Sequence, residues 1–173
     1  EEPVALQESG FFFYPKMKFS GSAVLDEKNS SGLCDASKEC LIAIYTEWTL
    51  LNQTQNIAVS VDLGRTFKEF QNNPVISGRS FSFRDPKVFW HKESSRWIMI
   101  VARPSDQKLE IYNSKDLVAW SKQSEFKEEI PGDGIWECPD LFFMKDEKNP
   151  NSGKWVILIS VAETIKGSFM KYF

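Results

Sequence analysis

The chain repeats itself. Displaced by about 53 residues, Arg84-Asp85-Pro86-Lys87-Val88-Phe89-Trp90 lies over Glu137-Cys138-Pro139-Asp140-Leu141-Phe142-Phe143. Arg96-Trp97-Ile98-Met99-Ile100-Val101 then lies over Lys154-Trp155-Val156-Ile157-Leu158-Ile159. A third segment recurs as well: Asn56-Ile57-Ala58-Val59-Ser60-Val61-Asp62-Leu63 over Glu110-Ile111-Tyr112-Asn113-Ser114-Lys115-Asp116-Leu117, each followed by an aromatic, Phe67 and Trp120. The apolar segments LIAIYTEW, NIAVSVD, RDPKVFW, RWIMIVA, KLEIYNS, ECPDLFF and KWVILIS are short, rich in β-branched and aromatic residues, and separated by turn residues. That is strand composition at strand length, with no long helical period. A repeat of roughly 50 residues holding about four strands is the signature of a propeller blade. The expected fold is therefore all-β, built of antiparallel four-stranded blades, with one full unit over about residues 82–135 and parts of others flanking it.

In a propeller the innermost strand of each blade starts at the central channel, so repeat-equivalent positions converge on one axis. Asp85 and Glu137 each lie at the mouth of such a strand and are expected to point into one funnel. The chain has a single histidine, His91, in the turn HKESSR, which reads as a solvated turn residue. One histidine excludes a two-His metal site and leaves a Ser-His-Asp arrangement only that residue. A carboxylate pair without histidine or a metal-ligand set suits a glycosidic bond, whose positive oxocarbenium-like transition state needs one ionised carboxylate and one that delivers a proton. On neighbours alone, Arg84 favours an ionised Asp85, while Trp136 and Cys138 suit a protonated Glu137. Trp136, Phe83 and Phe19 are placed to stack on sugar faces, Trp136 foremost.

The remaining composition sets bounds. Of 173 residues, 42% are hydrophobic, enough for a core, and the net charge of −3 with scattered Lys and Arg gives no basic patch for nucleic acid. No apolar run approaches the roughly 18 residues of a membrane-spanning helix. Cys34 and Cys40 share a polar loop and read either as a small disulfide or as two free thiols. Two sequons, at Asn29 and Asn52, mark N-glycosylation positions and, with the cysteines, point to the secretory pathway.

These motifs resemble glycoside hydrolase family 32, the invertases, inulinases, levanases and related fructosyltransferases, and most closely its fungal secreted or vacuolar members. The resemblance rests on Arg84-Asp85-Pro86 and Trp136-Glu137-Cys138-Pro139. Phe19-Ser20-Gly21-Ser22, Gln55-Asn56-Ile57, Gly64-Arg65-Thr66-Phe67 and Asn73-Pro74-Val75-Ile76 support it, in order along nearly the whole chain. It implies a five-bladed propeller, of which residues 1–173 are about blades two and three plus the end of blade one. It implies hydrolysis of terminal β-fructosyl linkages in sucrose or fructans, with retention of configuration and without metal or cofactor. Asp85 would stabilise the transition state and Glu137 act as general acid/base. Arg84 would hold a hydroxyl and orient Asp85, Phe19 and Ser20 would line the fructosyl pocket with Trp136, and Cys138 would sit against Glu137. The family's nucleophile lies in a Trp-Met-Asn-Asp-Pro-Asn-Gly segment that these residues do not contain, and its later blades and C-terminal β-sandwich are also outside them, so this stretch alone is expected to be inactive. The resemblance leaves room for a homo-oligomer of a full-length protein in an extracellular or vacuolar location. Three other readings stand beside it: a fructosyltransferase, a propeller that binds fructan or sucrose without turnover, and an arabinan- or xylan-cleaving hydrolase, the last disfavoured by the Phe-Ser-Gly-Ser and Glu-Cys-Pro-Asp segments.

Overall fold

The computed structural model describes residues 4–11, 14–35, 39–128, 134–149, 152–163 and 167–173. They form three antiparallel sheets in chain order. The first holds β1 (Ser9–Phe11), β2 (Tyr14–Asp26), β3 (Cys40–Trp48), β4 (Gln53–Ser60) and β5 (Lys68–Glu69), with β6 (Ile76–Ser80) also pairing β4. The second runs β7 (Arg84–His91), β8 (Arg96–Arg103), β9 (Lys108–Ser114), β10 (Trp120–Lys127). The third runs β11 (Ile135–Lys145), β12 (Gly153–Glu163), β13 (Gly167–Tyr172). Every strand read from the sequence is present. The first sheet exceeds expectation: β2 to β5 form a four-strand succession, not only the end of a blade, because the Phe-Ser-Gly-Ser segment is itself a long strand paired with β3 along its length.

Strand β8 shows how the sheets pack. Side chains alternate across a strand, and in β8 both faces are buried. Trp97, Met99 and Val101 enter the core shared with Ile42, Ile44, Ile57 and Phe83. Ile100 and Ala102 enter a second core with Leu109, Trp136, Ile159 and Val161. Each fully buried aliphatic side chain contributes about 1.5–3 kcal/mol, so the second sheet is held on both sides.

The repeat extends to backbone detail. At the end of β4 the Ser60 hydroxyl donates to Asp62 Oδ1 (2.7 Å), and Leu63 takes φ 62°. At the end of β9 the Ser114 hydroxyl donates to Asp116 Oδ1 (3.0 Å), and Leu117 takes φ 62°. Asp62 accepts the Thr66 amide and Asp116 the amides of Val118 and Ala119, so Ser-x-Asp-Leu is a self-capped turn used twice.

The three inner strands also share a bulge. Register slips by one residue between Phe19 and Gly21 in β2, between Arg84 and Lys87 in β7, and between Glu137 and Asp140 in β11. The extra residue leaves the ladder and re-aims the chain. In β7 and β11 it is followed by proline and sits in the left-handed region, Asp85 at φ 62° and Cys138 at φ 47°.

Cys34 and Cys40 are joined by a disulfide. His91 is not simply solvated: its ring packs on Trp155 (5.5 Å), Nδ1 lies 2.7 Å from the Ser94 hydroxyl, and Nε2 lies 3.2 Å from Glu93. It occupies the far end of β7 from Asp85.

Candidate active site

The bulges of β2, β7 and β11 meet at one end of the strands and enclose a cleft of about 660 Å³ lined by Lys18, Phe19, Ser20, Arg84, Asp85, Glu137 and Cys138. It continues past Gly21 and Pro86 into a smaller space of about 200 Å³ reaching Lys87, Pro139 and Asp140. A separate cavity near Val88, Trp90 and Trp97 lies at the opposite end of the strands. Its one buried carboxylate, Asp26, is taken up by the Ser30 and Ser31 amides and the Ser30 hydroxyl.

Within the cleft, equivalent residues of the second and third sheets bind each other. Arg84 donates from Nε (3.1 Å) and Nη2 (2.8 Å) to Oε1 of Glu137, 53 residues on. Asp85 Oδ2 accepts the amide of Cys138 (3.0 Å) and lies 3.7 Å from its sulfur, the same separation along the chain. Lys87 and Asp140 form an ion pair at 3.2 Å, again one repeat apart. Two inner strands related by rotation about the channel bring each position beside its own counterpart. Complementary charge at those positions joins the blades.

This arrangement redistributes the partners read from the sequence. Arg84 is bound to Glu137 and not to the carboxylate of Asp85. Its chain neighbour Asp85 is the bulge residue of β7; it lines the same cleft, but its carboxylate is taken up by the Cys138 amide. Cys138 touches Asp85, not Glu137. Asp85 is 8% exposed. Burial pushes its carboxyl above the ordinary carboxylate range, and the Cys138 amide and the Arg84 guanidinium oppose this only in part. Partial burial, with Asp85 and Glu137 adding to it, pushes the Cys138 thiol up.

Phe19 and Ser20 line the cleft, Ser20 as the exposed bulge residue of β2. Trp136 and Phe83 do not, and the reading of both as sugar platforms is corrected. Trp136 is fully buried against Phe173 (5.9 Å) and Phe126 (6.3 Å). Phe83 is fully buried against Tyr112, under the Arg103 guanidinium. Trp136 directly precedes Glu137 on β11 and so faces the opposite way, while Phe83 lies just ahead of β7 and is buried away from the cleft. For Trp136 the rule of alternation, applied to Trp136-Glu137, was the available signal.

Three residues escaped the sequence reading. Lys18 lines the cleft and binds Glu47 (2.6 Å) and Glu69 (3.0 Å); burial alone would lower its pKa, but the two carboxylates outweigh this and raise it. Thr46 and Gln55, both fully buried, stand behind Asp85 in a line of polar contacts. A polar run inside β4, Gln53-Thr54-Gln55-Asn56, is the trace Gln55 leaves in the sequence. Among the described residues no group of His, Cys, Asp and Glu is placed to hold a metal ion. Among the described residues no helix is long and apolar enough to cross a membrane.

Comparison with known proteins places this geometry in context. The sequence model of the Glycosyl hydrolases family 32 N-terminal domain matches residues 1–173. A levanase of Bacillus subtilis is 43% identical over 178 residues, covering 99% of this chain and 25% of that protein. The extracellular exo-inulinase inuE of Meyerozyma guilliermondii is 40% identical over 160 residues, covering 90% of this chain and 31% of that protein. The structure of a fructofuranosidase from Schwanniomyces occidentalis complexed with fructose superposes with a TM-score of 0.85 at 40% identity, over 91% of this chain and 32% of that one. The chain thus spans a quarter to a third of the relatives it matches, and its antiparallel sheets are part of their five-bladed propeller.

Proposed function

The chain belongs to glycosyl hydrolase family 32, and from that premise we propose that it carries the acid/base and transition-state-stabilising part of a retaining β-fructofuranosidase of invertase or inulinase type. The observation that carries this reading is the convergence, in one cleft, of Asp85 and Glu137 from two repeat-related bulges. Residues 1–173 form a partial catalytic propeller. The nucleophile comes from outside them, so the chain alone does not hydrolyse fructosides.

The geometry supports distinct roles. Asp85 is deep, buried, and tied by one oxygen to the Cys138 amide, which leaves its other oxygen for fructosyl hydroxyls and places negative charge where the oxocarbenium-like charge develops. Glu137 stands further out and reaches the leaving oxygen. To deliver a proton there it must exchange its contact with Arg84, and the incoming sugar provides the means: a fructosyl hydroxyl engages the Arg84 guanidinium as Glu137 turns to the glycosidic bond. Phe19 and Ser20 form the wall of the fructosyl pocket from the first sheet.

The Cys34–Cys40 disulfide fits an oxidising compartment, and an extracellular or vacuolar location follows, with N-glycans at Asn29 and Asn52. Asn52 lies in the β3–β4 turn, while the Asn29 carboxamide already bonds the backbone N–H and C=O of Cys34, ahead of the disulfide. The test is the anomeric configuration of fructose released from sucrose by this chain extended to the length of its relatives, followed by NMR. Initial release of β-fructofuranose supports the reading. Release of the α-anomer, or of arabinose or xylose from their polymers instead, overturns it.

A further inference from the structure

We propose that Thr46, held by Gln55, is a positioning residue for Asp85: its hydroxyl caps the Asp85 amide in the β7 bulge and so fixes the direction of that carboxylate. The inference rests on the reading of Asp85 as the transition-state stabiliser and extends it to residues of the first sheet.

The bulge removes the Asp85 amide from the β7–β8 ladder, since register jumps from Arg84 to Lys87. The amide is buried, and a buried N–H needs a partner. It finds one 39 residues upstream, donating to Thr46 Oγ1 at 3.0 Å. A hydroxyl has one proton and two lone pairs. The Thr46 proton goes to Gln55 Oε1 at 3.0 Å, which turns a lone pair toward Asp85. Gln55 is fixed in turn, because its Nε2 donates to the Phe83 carbonyl at 2.8 Å, and the Phe83 amide donates to Gln53 Oε1 at 2.7 Å. Side chains of β3 and β4 therefore grip the backbone on both sides of Arg84.

The third sheet repeats the arrangement. Cys138 occupies the same place in its bulge, also left-handed, and its amide is capped by Asp85 Oδ2. Thr46 of the first sheet thus caps the second, and Asp85 of the second caps the third. Asp85 is the middle member, held through its backbone on one side and its carboxylate on the other. A left-handed residue before proline persists only where its surroundings enforce it. Without the Thr46 hydroxyl the Asp85 amide loses its partner, the bulge turns, and the carboxylate leaves the Cys138 amide.

The test uses the chain extended to the length of its relatives, with kcat, KM and pH profiles for sucrose. Thr46→Val keeps the shape and deletes the hydroxyl. The expected result is a fall in kcat of about 10- to 100-fold with KM changed less than about threefold, as for a small misplacement of a reacting group. The acidic limb of the profile moves to higher pH, because Asp85 loses a donor that favours its ionised form. The charged and titratable groups facing Asp85 are Arg84, Glu137 and Cys138, with Lys18, Lys87 and Asp140 in the adjoining spaces, and none of them is altered. Thr46→Ser restores both readouts. Ile44→Val, a core change two residues away on β3, lowers the melting temperature without moving the limb. Where Thr46→Val does not fold, Gln55→Met, which frees the Thr46 hydroxyl to rotate, gives a shift of the same direction and smaller size. A profile for Thr46→Val or Gln55→Met that coincides with that of Ile44→Val overturns the proposal. A wild-type protein that releases no fructose overturns the reading of Asp85 first, and the inference with it.

Discussion

Gly21 is the position where a single methyl group most directly tests the cleft. It follows the bulge residue Ser20 in β2, opposite Tyr45 on β3. A Cβ added there would lie 1.9 Å from the carbonyl oxygen of Ile44 and 2.7 Å from the Cα of Tyr45. Both are backbone atoms of a strand packed on its far side, so no side-chain rotation relieves the contact. The methyl falls about 1.5 Å short of ordinary van der Waals separation, which β2 and β3 recover only by parting at the bulge. Overpacking of this kind costs about 3 kcal/mol, or roughly 6–12 °C in melting temperature for a chain of this size. The Ser22 hydroxyl, which accepts the Val88 amide and donates to the Pro86 carbonyl, moves with β2 and loosens the join to β7. The assay is urea unfolding followed by tryptophan fluorescence, with Gly32→Ala as comparator. Gly32 has φ 68° and nothing within 4 Å of its added Cβ, so that change carries only backbone strain, about 1 kcal/mol. Equal midpoints for Gly21→Ala and Gly32→Ala would refute the close approach of β2 and β3.

Other outcomes follow from the same geometry. Burial raises the Asp85 pKa in the folded state, so ionising it costs stability, and the cost appears as pH rises through the folded-state value. Asp85→Asn should therefore melt higher than wild type at pH 7, with the difference closing below about pH 4, where both side chains are neutral; thermal scans at the two pH values check this, and a less stable variant at pH 7 contradicts it. Trp136→Ala should destabilise by about 3–5 kcal/mol in urea unfolding, whereas Phe19→Ala should cost less and instead raise KM for fructosides in the extended protein; the reverse pattern would return Trp136 to the sugar site. Replacing Cys34 and Cys40 by serine should remove about 2 kcal/mol, the entropy of so short a closed loop, measured by unfolding under non-reducing conditions.

The architecture was legible because its signal is periodic. Strand-length apolar runs recurring about every 53 residues leave few alternatives to a propeller, and the recurrence held down to Leu63 and Leu117 in the left-handed region. Asp85 and Glu137, one register position apart at the mouths of repeat-equivalent strands, line one cleft, and that much could be read from the repeat. Their partners could not, because contact across a channel depends on rotation between blades, which no local pattern encodes. Sequence adjacency suggested Arg84 with Asp85 and Cys138 with Glu137; rotation about the axis instead set Arg84 on Glu137 and Cys138 on Asp85. Trp136 was misjudged for a simpler reason, since its neighbour Glu137 already claimed the cleft-facing side of β11. The Thr46–Gln55 support was hidden because hydroxyl and amide side chains in a strand carry no mark of what they will cap until a bulge supplies an orphan amide.

The most direct test of the account is fructose release from sucrose and inulin by the extended protein and by its Glu137→Gln variant, with the 173-residue chain alone alongside. Glutamine keeps a hydrogen-bond acceptor for Arg84 but cannot give or take the proton. The account predicts release by the extended wild type, none by the chain alone, and a fall of about 10²- to 10⁴-fold on Glu137→Gln. An extended Glu137→Gln protein that folds and releases fructose at the wild-type rate would contradict it.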